Sequence, residues 1–85
     1  MLSVEQLAHL RGADVGDAAN KVGLAMALTG ATQEQIEATT GLKQPYVSSI
    51  VNGRYSKLPL ETARKIADFF GCLIEDLFPA KEAVA

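Results

Sequence analysis

The chain has 85 residues, 48% of them hydrophobic, with a formal net charge of −2 and a pI near 5.2. That is the length of one small domain, and the single cysteine, Cys72, excludes an internal disulfide and a cysteine-built zinc site. No secretory leader pattern occurs and no apolar run approaches the ~20 residues of a membrane span, so a soluble, intracellular protein without metal or other cofactor is expected.

Ser3 and Gln6 stand at capping-box spacing, and Val4, Leu7 and Leu10 follow three apart. This predicts a short helix over 4–11, ended by Gly12. Its apolar stripe packs either into the domain's own core or against a partner chain. Asp14 and Asp17 are candidate caps for a second helix over 17–28. Val22, Ala25, Met26 and Thr29 follow helical spacing there, Leu24 and Leu28 add a second row, and Gly30 stops it. Thr32 and Gln35 form another capping box, opening a helix anchored by Ile36 with Ala38 beside it and ended by Gly41.

A further helix runs from Gln44 to Val51, with Pro45 tolerated in its first turn and Val47 and Ile50 facing inward. Asn52-Gly53 closes it, Gly53 being free to take a left-handed conformation. After a loop over 54–58, Pro59 at the first helical position opens a helix over 59–70. Leu60, Ala63, Ile66, Ala67 and Phe70 are its expected inner face, with Gly71 behind. Residues 73–78 make a last short helix stopped by Pro79, and 80–85 form a loose tail. Nothing alternates with a period of two. The expected fold is all-α: a compact five-helix domain with an extra short helix at its N-terminus.

Charge is spread unevenly along this chain. Residues 41–58 contain Lys43, Arg54 and Lys57, and all ten carboxylates lie elsewhere. A positive patch on an acidic body can hold a polyanion at one face while the remainder repels it. The short helices on either side of Thr39-Thr40-Gly41-Leu42-Lys43 also match a helix-turn-helix plan: Gly41 permits the tight reversal and Leu42 plugs the turn into the core. The N-terminal half of the second helix then projects outward, where it fits the DNA major groove.

The stretch TQEQIEATTGLKQPYVSSIVNGRYSKLPLETARKIADFFGCLIEDLFP resembles the helix-turn-helix of the phage repressor and Cro class, also called the xenobiotic-response-element class. The resemblance covers about residues 17–79 and leaves 1–16 as an N-terminal extension. It rests on Gln33 after a cap, Ile36 and Ala38, Gly41 in the turn, and Gln44-Pro45-Tyr46-Val47-Ser48 opening the recognition helix. Asn52-Gly53, Leu60-Glu61-Thr62, Ile66-Ala67, Gly71 and Asp76-Leu77-Phe78 complete it.

The resemblance implies a homodimeric repressor, cytoplasmic and nucleoid-associated, that inserts helix 44–51 into the major groove of an inverted-repeat operator. It implies base reading by Lys43, Gln44, Pro45, Ser48 and Ser49, Gln44 having the chemistry for a bidentate bond to adenine. Gln33, Asn52, Arg54, Tyr55 and Lys57 fall where the family grips the DNA backbone. Tyr46 either packs between helices or offers its hydroxyl to a phosphate. Lys43 cannot accept the free N–H groups of the helix it precedes, and its charge opposes the helix dipole. That sacrifice points to a phosphate or base contact.

Other residues have plainer readings. Cys72 is expected as core filler and His9 as a solvent-facing histidine. Glu75-Asp76 is expected as a solvated pair favouring the start of the last helix. Many family members pair an Arg with a Glu at the positions of Met26 and Val51, and an apolar contact is expected here instead. A dimer surface is sought in the N-terminal stripe (Leu2, Val4, Leu7, Leu10) or the C-terminal region (Leu73, Leu77, Phe78). The alternative reading is an antitoxin-type or other protein-interaction module on the same scaffold, using the N-terminal segment to grip its partner. An enzyme is disfavoured, because one His and one Cys supply no base–nucleophile pair.

Overall fold

The computed structural model describes residues 1–78, which form six helices and no strand. They are α1 (Val4–Gly12), α2 (Val22–Thr29), α3 (Gln33–Thr40), α4 (Gln44–Val51), α5 (Leu60–Phe70) and α6 (Ile74–Leu77). The expected stop at Pro79 and the tail over 80–85 lie outside the described residues.

Both capping boxes form as the sequence predicts. Ser3 Oγ accepts from the Gln6 N–H while Gln6 Oε1 accepts from the Ser3 N–H, and Thr32 and Gln35 repeat the exchange at α3. Each satisfies two N–H groups that a helix start would otherwise leave unpaired. Gly30, Gly41 and Gly71 end α2, α3 and α5 in the left-handed conformation.

One core holds the helices together. Leu10, Val22, Ala25, Ile36, Val47, Ile50, Ala63, Ile66 and Phe70 are fully buried in it, and Leu58 joins them from the loop before α5. The N-terminal segment belongs to this core. Leu2 and Leu10 are buried, the Leu2 N–H donates to the Phe70 carbonyl, and Gln6 Nε2 donates to the Leu28 carbonyl. Their burial removes Leu2 and Leu10 from the candidate dimer surface, and Leu77 and Phe78 are buried as well.

Several expectations about local structure are corrected. The second helix starts at Val22, not Asp17. Asp14 Oδ1 instead accepts the Gly16 N–H in a local turn, and Asn20 Oδ1 takes the Val22 N–H. A short side chain that bonds its own backbone two residues on competes with helix formation, so 13–21 is a folded loop. Val4 points to solvent, as do Ala38 and Leu60. Pro59 occupies the N-cap of α5, one residue earlier than expected, so the helix begins at Leu60.

Asp76 is likewise corrected: it is not solvated but buried. Its carboxylate accepts from Arg11 Nε at 2.8 Å and Nη2 at 3.1 Å, and from the Leu73 N–H at 2.9 Å. The Arg11 bond, the strongest influence, holds this carboxyl below the usual carboxylate range against the opposing effect of burial. Lys21 Nζ adds a bond to the Leu10 carbonyl, tying the loop to the end of α1. Cys72 packs against the core, and burial pushes its thiol up to about 11, away from reactive thiolate.

Candidate nucleic-acid interface

Hydrogen bonds hold the N–H groups of Gly41, Leu42 and Gln44 across the α3–α4 reversal. The Gly41 N–H donates to the Glu37 carbonyl, and the Leu42 N–H to Thr40 Oγ1 at 3.2 Å. The Thr40 hydroxyl in turn donates to the Ile36 carbonyl at 2.6 Å. Leu42 packs its side chain against the core, as the helix-turn-helix plan requires. Lys43 caps nothing with its side chain. The first N–H of α4, that of Gln44, is taken by Glu37 Oε1 at 3.0 Å, a carboxylate reaching across from α3.

Val47 and Ile50, fully buried, fasten α4 to the body. A helix turns about 100° per residue, so Pro45, Ser48, Ser49 and Asn52 lie on the opposite side. Pro45 and Asn52 are exposed and the two serines half-buried, while Lys43, Gln44 and Tyr46 stand exposed at the leading end. The Ser49 hydroxyl donates to the Pro45 carbonyl at 3.1 Å, and Asn52 Nδ2 to the Ser48 carbonyl at 2.8 Å. These bonds hold the polar groups against the helix instead of leaving them to sample rotamers. Gln33 opens α3 and is half-buried.

The far end of α4 is buttressed from the loop before α2. Asn20 is buried; its Nδ2 donates to the Ile50 carbonyl at 2.8 Å and to the Tyr55 hydroxyl at 3.2 Å. The chain then turns back, with the Arg54 N–H donating to the Ser49 carbonyl. Gly53 makes this turn with φ of 71°, and a Cβ there would lie 2.4 Å from that of Ala19. Tyr55 packs against the core while Arg54 and Lys57 face solvent. Among the described residues Lys43, Arg54 and Lys57 form no ion pair; the pairs present are Arg11–Asp76 and Lys65–Glu61.

Residues 26–77, more than half of the chain, match a family model described as "Helix-turn-helix". The chain belongs to the Cro/C1-type helix-turn-helix family. This helix-turn-helix protein is also 39% identical over 59 residues to an uncharacterized HTH-type transcriptional regulator of Methanocaldococcus jannaschii, covering 69% of this chain and 88% of the relative. No solved structure matches it at the same stringency.

Most of the residues expected at the interface fall on α4 and the segment that follows it. Three contributions were not foreseen: the Glu37 cap, the Asn20 buttress and the burial of Leu58. Glu37 lies seven positions from its partner and Asn20 thirty, beyond any local pattern. The one available signal was Lys43, since a residue that cannot cap its helix implies an acceptor from elsewhere. Met26 and Val51 are both half-buried against the core, and Val51 Cγ1 lies 3.8 Å from the position a Cβ on Gly23 would take.

Proposed function

We propose that this protein is a sequence-specific double-stranded-DNA-binding transcriptional regulator that acts as a homodimeric repressor. The observation that carries this reading is the exposed face of α4 and its flanks, where Lys43, Arg54 and Lys57 carry charge that no described carboxylate neutralises. In this reading Lys43, Gln44, Pro45, Ser48 and Ser49 meet base edges in the major groove. Gln33, Tyr46, Asn52, Arg54 and Lys57 meet phosphates, and Tyr55, bonded to Asn20, positions the segment that carries two of them.

Two copies are proposed on energetic grounds. Two phosphate-facing cations per protomer, Arg54 and Lys57, give a salt slope near −2 at about −0.9 per phosphate, which supports only weak binding, whereas a dimer reaches roughly −4. Met1, Val4 and Leu73 are the apolar side chains left exposed on the terminal segments for such a contact. Selection of bound duplexes from a random library at moderate salt tests the reading. Enrichment of an inverted repeat with half-sites about one helical turn apart supports it. No enrichment, together with negligible binding to mixed DNA at low salt, refutes it.

A further inference from the structure

The α4 helix begins without a cap of its own, and the group that replaces it comes from the neighbouring helix. We propose that Glu37 is a specificity-positioning residue: its carboxylate fixes the start of the recognition helix and penalises contact with DNA in any other register. The inference rests on the DNA-binding reading above.

The geometry gives Glu37 both roles. Its backbone carbonyl holds Gly41 in the left-handed turn while its side chain holds the Gln44 N–H at 3.0 Å. One residue thus clamps both ends of the turn between α3 and α4, and sets where Gln44 and Pro45 begin. Lys43, extended at φ −63° and ψ 143°, brings its charge to the same end of the helix without closing it. Glu37 is half-buried, so its charge is only partly screened. A carboxylate fixed beside the leading end of a helix that enters the groove repels nearby phosphates. That repulsion is offset when Lys43 and Gln44 make their contacts and is uncompensated when they do not. A charge that opposes incorrect docking favours discrimination over raw affinity.

Glu37→Gln keeps an acceptor oxygen and removes the charge, whereas Glu37→Ala removes both. Binding of the wild-type protein and both variants is measured on a duplex selected with the wild-type protein and on one changed at the base pair read by Gln44. Amide exchange at Gln44 is followed in parallel without DNA. Glu37→Gln is expected to bind the altered duplex roughly three- to tenfold tighter at low salt while the selected duplex stays within about twofold, so that discrimination falls. Glu37→Ala is expected to exchange the Gln44 amide at least about tenfold faster and to lose about fivefold or more in discrimination beyond the loss in Glu37→Gln.

Discrimination in Glu37→Ala no worse than in Glu37→Gln overturns the positioning role, whatever the exchange rate. Unchanged discrimination in Glu37→Gln overturns the electrostatic one. Failure of the wild-type protein to bind any duplex would sink the DNA reading and the specificity role with it, a result distinct from either variant's behaviour.

Discussion

Replacing Gly53 by Ala separates two costs that are usually mixed. Gly53 has φ of 71°, as Gly41 has φ of 78° and Gly30 φ of 74°. An L-residue held in that region costs about 1–2 kcal/mol at each of the three. Their surroundings differ. A Cβ at Gly30 or Gly41 meets nothing within 4 Å, whereas at Gly53 it meets Ala19 Cβ at 2.4 Å. Relieving that overlap displaces the loop that carries Asn20, at about 1–3 kcal/mol on the scale of overpacked sites. Gly53→Ala should therefore cost about 2–5 kcal/mol against about 1–2 for Gly41→Ala, out of a total near 4–13 kcal/mol for 85 residues. Urea unfolding followed by helical circular dichroism measures both. Adding Ala19→Gly to Gly53→Ala should recover about 1–3 kcal/mol in a double-mutant cycle. Equal costs at 53 and 41, or no recovery in the double variant, would refute the close approach of this loop to the end of α4.

Other perturbations test the remaining contacts. Leu10→Ala should cost about 2–5 kcal/mol because Leu10 is fully buried, whereas Val4→Ala on the same helix, 86% exposed, should stay within about 0.5 kcal/mol in the same unfolding assay. Asn20→Ala leaves the Val22 N–H without its partner and the Ile50 carbonyl with the Gly53 N–H, and should cost about 1–3 kcal/mol and weaken DNA binding through the end of α4. The Arg11–Asp76 pair predicts a pH dependence. Because the folded-state pKa of Asp76 is depressed, its contribution is complete above the ordinary Asp value of about 3.9 and is lost as pH falls through the lower folded value. Arg11→Ala removes the chief cause of the depression, so the variant should be less stable at neutral pH and its Tm should fall less than that of wild type as pH drops below about 3.9.

Much of this protein was legible in its residues because the signals were local. A capping box spans three positions, a left-handed glycine acts within one turn, and Val47 and Ile50 sit three apart on a helix. Each needs only its own segment to form, which is why α1, α3, α4 and the turn at Gly41 stood nearly where spacing put them. The acid-free stretch was equally plain, and so was the identity of the residues on the outer face of α4.

What the sequence could not determine was which polar groups would be withdrawn from water, because that depends on partners brought from far along the chain. Asp76 became an ion-paired buried carboxylate because the tertiary fold brings Arg11, near the end of α1, to it from 65 positions away. Asn20 became a buttress because 13–21 remained a loop instead of extending α2. Lys43 could be recognised as a missing cap, but only the packing of α3 against α4 supplied Glu37 in its place. Local periodicity determined the helices and the outer face of α4; desolvation by distant segments decided how that face is held.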